Sequence, residues 1–271
     1  LERVVSVQSP RPKSGKIRVA VAGAGGFAQG MHLPNLMKLG ALYELHTVMS
    51  RTGSNAMSAA RQFQAVKATT DYREVLGDAD VDLVLIATRH DLHARMAREA
   101  LRAGKHVFVE KPLALTPDEL AEIEAFYEKH PDGPVLMTGF NRRFSPALRP
   151  AAKVLRDRTT PLIASYRMNA GYLPPDHWVH GPEGGGRNIG EACHIYDLFN
   201  FLARSKFVTV QARSIGSSAK TYKPTENFVA TIGYRDGSVC TLTYTALGCT
   251  AHPKEEMEIF ADGTVISLSD F

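Results

Sequence analysis

The sequence predicts an α/β fold in two parts: an N-terminal doubly wound parallel sheet, then an α+β part built on an open, mainly antiparallel sheet. Three observations predict it. Short, Val-rich apolar runs alternate with amphipathic segments as far as Gly139, the first of these runs feeds a glycine turn, and from Leu162 onward the apolar residues alternate with period two.

The first run is Ile17-Arg-Val-Ala-Val-Ala22, too uniformly apolar for a half-exposed strand and therefore read as a central parallel strand. It leads into Gly23-Ala-Gly25-Gly26-Phe27-Ala28, with helical spacing continuing through Met31 and Leu36. Gly23 permits a tight turn, Gly25 lets the backbone approach a pyrophosphate, and Ala28 allows close helix packing. The helix start adds free N–H groups and a positive dipole end, so Gly23, Gly25, Gly26, Phe27 and Ala28 form a candidate phosphate cradle of Rossmann type. Strand-like runs follow at Leu45 to Met49, Val81 to Ala87 and His106 to Val109, with helices expected over Asp91 to Ala103 and Pro117 to Lys129. Repeated βαβ units imply a parallel sheet over residues 17–139. Residues 140–271 read differently. Ile163 to Ala170, Val208 to Ser214, Phe228 to Tyr234, Val239 to Ala246, Met257 to Phe260 and Thr264 to Leu268 alternate as strands, and Arg235-Asp-Gly-Ser238 is a hairpin signal. One helix, Glu191 to Leu202, interrupts them with an apolar stripe.

With 271 residues, 44% of them hydrophobic, the chain can bury a substantial core. The 32 basic and 28 acidic residues are well mixed, which makes nucleic acid a poor partner. The longest apolar stretches fall short of a membrane span, and a cytoplasmic location is expected. Cys193, Cys240 and Cys249 show neither CxxC spacing nor an even count, so reduced thiols are expected and no metal site is assigned. Residues 1–16 read as a linker-like or disordered segment, and the 140–271 part as C-terminally incomplete.

Gly23-x-Gly25-x-x-Ala28, Ala87-Thr88, His93, Ala103-Gly-Lys-His-Val107 leading into Glu110-Lys111-Pro112, Gly139-Phe-Asn141-Arg142-Arg143-Phe144, and Gly184 through His194 and Asp197 together resemble the glucose-fructose oxidoreductase, inositol dehydrogenase and rhizopine-catabolism family. The resemblance runs from Ile17 to about Leu268. It implies a nucleotide domain followed by a domain for substrate and for oligomerisation, a cis Lys111-Pro112 bond, and homo-oligomers paired through their sheets. The Asn-Arg-Arg-Phe-Ser-Pro and Gly-Arg-Asn-Ile-Gly-Glu-Ala-Cys-His strings also resemble a subgroup in which such a module follows an alcohol-dehydrogenase-like one.

Lys111, after a strand ending on the cofactor side, is placed to hold a substrate hydroxyl oxygen, with Glu110 orienting it; a surface Lys-Pro turn is the plain alternative. His194 is the candidate acid/base. Many relatives carry an aspartate four residues before this histidine; Gly190 stands there, and Glu191 either replaces it or caps the helix. Thr88 is expected beside the pyrophosphate or ribose, His93 near the nicotinamide ribose. Candidate substrate contacts are Asn141 and Arg142, with Arg142 or Arg143 alternatively an ion-pair partner. The loop carrying Tyr172, His177, Trp178, His180, Arg187 and Asn188 suits a polyhydroxylated ligand, Trp178 giving a flat face to a sugar ring. At the end of the second strand, Ser50-Arg51 stands where a carboxylate normally takes the adenine ribose of NAD, so NADP is favoured and NAD remains open. The expected function is hydride transfer between nicotinamide and a secondary alcohol or ketone of a sugar, cyclitol or sugar-nucleotide. The alternative is a dinucleotide-binding sensor or partner-binding module of the same fold.

Overall fold

The computed structural model describes residues 4–8, 15–216 and 222–270. It divides into two compact units, Leu1–Gly139 and Phe140–Phe271. The first carries strands β1 (Val4–Ser6), β2 (Ile17–Ala22), β3 (Tyr43–Met49), β4 (Lys67–Thr69), β5 (Leu83–Ile86), β6 (His106–Val109) and β7 (Leu136–Thr138). Its helices are α1 (Leu33–Lys38), α2 (Gly53–Gln62), α3 (Tyr72–Gly77), α4 (His93–Arg102) and α5 (Pro117–Lys129). The strand order is β1-β4-β3-β2-β5-β6-β7, parallel throughout except for β1 on β4.

The uniform apolarity of β2 has a direct cause. Val19 and Val21 enter one core with Leu33, Val48 and Ala56, while Ala20 and Ala22 enter a second with Val84, Met96 and Leu101. Both faces are covered, so neither alternate position can be polar. Each fully buried Val or Leu contributes roughly 1.5–3 kcal/mol. The chain runs outward from β2 to β3 and β4, then returns to β5 on the other side. That reversal leaves a crevice at the carboxyl ends of β2 and β5, where open α/β sheets place their ligands. Helix α5 starts where Thr116-Pro-Asp-Glu119 predicts. Glu119 N–H donates to Thr116 Oγ1 at 3.2 Å and the Glu119 carboxylate accepts from Thr116 N–H at 3.3 Å, a reciprocal capping box.

Residues 1–16 are not all linker. Val4–Ser6 pairs antiparallel with β4, and Val7 N–H continues the contact by donating to Val66 O at 2.7 Å. The rest of that expectation, residues 1–3 and 9–14, lies outside the described residues.

The second unit holds α6 (Leu148–Arg156), β8 (Ile163–Asn169), α7 (Cys193–Ala203), β9 (Phe207–Ser214), β10 (Asn227–Tyr234), β11 (Val239–Thr245), β12 (Glu255–Ala261) and β13 (Thr264–Ser269). Their order is β13-β12-β8-β11-β10-β9. The sheet is mainly antiparallel as expected, with one parallel pair, β8 on β11. One core lies on one face, where Ala164, Tyr166 and Met168 of β8 meet Ile195, Leu198 and Phe199 of α7. The β10–β11 hairpin closes at Gly237 (φ +89°), as its turn residues predict.

Helix α6 corrects the expectation of a single helix here. Leu148, Ala151 and Leu155 form its buried stripe, and Pro150 is tolerated because it lies in the first turn, where the backbone N–H groups lack intrahelical partners.

Candidate dinucleotide site and the polar centres of the second unit

The glycine turn leaves β2 into the crevice. Gly23 adopts φ +101°, its N–H donates to Met49 O at 2.9 Å, and a Cβ at this position would lie 2.6 Å from the Ala87 carbonyl. Only glycine fits that approach. Gly25 and Gly26 are exposed and have nothing within 4 Å of where a Cβ would stand, so their backbone is open to a ligand. The helix begins at once, with a π turn over Ala28–His32 running into α1, and Ala28 is fully buried against the sheet. Open glycine backbone ahead of a helix start suits a pyrophosphate, so the residues present fit a dinucleotide.

Two side-chain amides brace this turn. Gln29 Nε2 and Asn55 Nδ2 each donate to Ala24 O at 2.8 Å; Gln29 Nε2 also donates to Asn55 Oδ1 at 3.2 Å, and Asn55 Nδ2 to Ser50 Oγ at 2.8 Å. Ser50 is buried at the end of β3 and Arg51 is exposed beside it. Neither Gln29 nor Asn55 belongs to a motif, and the sequence reading missed both.

The ends of β5 and β6 meet through His93. Its Nδ1 lies 2.8 Å from Pro112 O and its Nε2 3.3 Å from Thr88 O, in a side chain only 1% exposed. Burial pushes the His93 pKa down, against the opposing pull of the two carbonyls. His93, expected near a ribose, therefore ties the Thr88 loop to the Lys111-Pro112 loop, whose peptide bond is cis. Thr88 itself packs on the glycine turn, its N 2.8 Å from where a Gly23 Cβ would stand. Lys111 is half-buried at the carboxyl end of β6. Glu110 has a partner the sequence did not announce: His32 Nε2, at 2.8 Å from Glu110 Oε1. The same carboxylate lies against Gly139, where a Cβ would come within 3.0 Å of it.

At the opposite, amino-terminal end of the sheet, His46, Asp78 and Asp80 bring three ligand-type atoms close together. Lys67 Nζ, 2.7 Å from Asp78, and Arg18, paired with Asp80, already supply cationic charge there.

In the second unit the expected residues sort differently. His194 is buried in the first turn of α7, edge-on to Phe140 with centroids 6.1 Å apart. Glu191 is not a free partner for it. Its carboxylate accepts from Tyr244 OH at 2.5 Å, Lys254 Nζ at 2.9 Å and Arg187 at 3.0 Å. Burial alone would raise its pKa, but Lys254, Tyr244 and Arg187 outweigh burial and hold the carboxyl at about 2. Glu191, expected from the sequence beside His194, is thus held as an anion by Tyr244, Lys254 and Arg187.

Arg187 is buried and donates also to Gly171 O at 2.6 Å and Ala170 O at 2.8 Å. Arg142 pairs with Glu255, which also accepts from Tyr166 OH at 2.7 Å. Arg143 pairs with Asp197, so each arginine of the Asn-Arg-Arg string has an ion-pair partner. His180 is buried 3.1 Å from Glu226, and burial lowers its pKa against the pull of that carboxylate. His177 starts the short turn Trp178–His180, its Nδ1 accepting from Val179 N–H at 3.3 Å, and Trp178 is half-buried. Of the expected substrate contacts, Asn141, Tyr172 and Asn188 are exposed. Sequence reading identified these charged side chains without their partners, because a buried ion pair leaves no local spacing signal.

A parallel sheet whose glycine turn opens at the switch point is the fold of NAD(P)-binding dehydrogenases and reductases. Residues 17–139 match the model GFO_IDH_MocA, described as an oxidoreductase family with an NAD-binding Rossmann fold. That match covers the first of the two units and gives residues 17–139 as the NAD-binding Rossmann domain of that family. It is 28% identical over 229 residues to the uncharacterized oxidoreductase YrbE of Bacillus subtilis, covering 84% of this chain and 64% of that one. It is 39% identical over 170 residues to levoglucosan dehydrogenase of Pseudarthrobacter phenanthrenivorans, covering 58% of this chain and 42% of the other. These alignments thus span less than two thirds of the curated relatives' length. A solved levoglucosan dehydrogenase in complex with NADH superposes with a TM-score of 0.79 at 25% identity, over 94% of this chain and 73% of that one. Among the described residues no helix is long and apolar enough to cross a membrane.

Proposed function

We propose that this chain is an NAD(P)-dependent oxidoreductase that interconverts a secondary alcohol and a ketone on a sugar, cyclitol or sugar-nucleotide. The observation that carries the reading is the glycine turn and Lys111 standing at the carboxyl ends of β2 and β6 in one parallel sheet. A bound nicotinamide supplies the hydride acceptor or donor. Lys111 holds the substrate oxygen by its ammonium group, stabilising the alkoxide character that develops there. His194 takes up the hydroxyl proton in oxidation and returns it in reduction. The relative solved with NADH and the levoglucosan dehydrogenase match support this class, and the exposed polar residues Asn141, Tyr172 and Asn188 suit a polyhydroxylated ligand. Ser50 and Arg51 at the end of β3, without a carboxylate beside them, favour NADP over NAD.

The test is cofactor binding beside turnover. Lys111→Met and His194→Gln are expected to keep dinucleotide binding within about threefold and to lower kcat with a sugar and cyclitol panel by at least about 100-fold. Wild-type protein that binds dinucleotide tightly yet turns over no member of the panel would favour a second reading, a non-catalytic binding module. Gly190 and the sequestered Glu191, in place of the usual acidic partner of His194, support that second reading.

A further inference from the structure

We propose that Asn55 is a positioning residue that sets cofactor discrimination by fixing the direction of the Ser50 hydroxyl proton, an inference that rests on the dinucleotide reading above. Ala24 O only accepts, so the atom of Asn55 that meets it at 2.8 Å is the amide nitrogen. That fixes the orientation of the whole side chain. The same nitrogen lies 2.8 Å from Ser50 Oγ, so Ser50 receives a hydrogen bond from Asn55 and its own proton is directed elsewhere. Gln29 completes the arrangement by donating to Asn55 Oδ1 at 3.2 Å. Both N–H groups of Asn55 and its oxygen are then engaged.

The consequence lies at the end of β3. A serine that must donate outward suits an oxygen that only accepts, such as a 2′-phosphate, better than a hydroxyl that itself seeks an acceptor. Asn55 sits in the first turn of α2, five residues after Ser50, and through Ala24 the same amide links this reader to the glycine turn. Phosphate cradle and 2′ reader are therefore set by one side chain.

Fluorescence titrations of wild type, Asn55→Ala, Asn55→Asp, Ser50→Ala and the Asn55→Ala/Ser50→Ala double variant with NADPH and with NADH test this, with thermal melts to confirm folding. Asn55→Asp reverses the bond, so that Ser50 donates inward to a new negative charge. The expected result is an NADPH-to-NADH affinity ratio lowered about tenfold in Asn55→Asp and about threefold in Asn55→Ala. In the Ser50→Ala background, Asn55→Ala should leave the ratio unchanged. Equal loss of both cofactors in the Asn55 variants, or a ratio shift that persists without Ser50, overturns the proposal and leaves the cofactor reading standing. Wild type that binds neither dinucleotide overturns both. Should Asn55→Asp fail to fold, the alanine pair decides alone.

Discussion

Gly23→Ala and Gly25→Ala are the same chemical change two residues apart, and the structure assigns them opposite consequences. At Gly23 the added methyl must accept φ +101° and would stand 2.6 Å from the Ala87 carbonyl. Left-handed backbone costs an alanine about 1–2 kcal/mol, and forcing a methyl into packed backbone adds about 1–3 kcal/mol. The total, about 2–5 kcal/mol, is a large fraction of the roughly 5–15 kcal/mol that holds a domain folded. At Gly25 the methyl meets nothing within 4 Å and the backbone is not left-handed. Stability there should hold or rise by about 0.4–1 kcal/mol through the unfolded chain, while the methyl obstructs the approach of a pyrophosphate. Urea unfolding followed by circular dichroism, with NADH titration of each variant, reads both effects. With a slope of about 2 kcal/mol per molar urea, Gly23→Ala should lower its midpoint by about 1–2.5 M; Gly25→Ala should leave the midpoint in place and weaken NADH at least about tenfold. A Gly25→Ala variant as unstable as Gly23→Ala, or one that binds NADH normally, would refute the assignment of the first glycine to folding and the second to ligand approach.

Two further outcomes concern pH. Moving the Glu191 carboxyl from an ordinary 4.5 to about 2 amounts to about 3 kcal/mol of stability, present above pH 4.5 and lost as the pH falls through about 2. Glu191→Gln should therefore lower stability at pH 7 and flatten the acid limb of the stability profile; an unchanged limb in acid titrations followed by circular dichroism would show that Lys254 and Arg187 do not hold that charge. The depressed His93 pKa has the other consequence: its unfolded form binds the proton that the folded form resists, so stability should fall as the pH drops below about 6.5. His93→Gln should remove that slope in denaturant melts between pH 7 and 5, and a slope that persists would assign it elsewhere.

The parts legible in the sequence were those in which a single segment carries its own signal. The doubly covered strand β2 could be read because both of its faces are apolar, and the glycine turn because φ +101° admits one residue. Helix α5 and the Gly237 hairpin were equally readable from their own caps and turn residues. What escaped notice depends on pairs far apart in the chain. The parallel pairing of β8 with β11 follows from chain path, which strand periodicity does not encode. Short strands such as β4 and β7, three residues each, have too few positions to show a period. His32 against Glu110 spans 78 residues and Arg142 against Glu255 spans 113, so neither pairing leaves a signal in the local sequence. Asn55 was hidden for a related reason, since its importance lies in a carbonyl, and carbonyls are the same at every position.

Strand β9 ends the second sheet with all eight of its residues exposed, among them Phe207, Val208 and Val210 at 56–60%. On the first sheet the corresponding margin, among the described residues, is the three-residue strand Val4–Ser6. The two margins differ in length and stickiness. A long apolar border offers another polypeptide a ready row of N–H and C=O groups, whereas a three-residue border offers almost none. Polar residues introduced at Val208 and Val210 would make that border less receptive to another strand without entering the buried core.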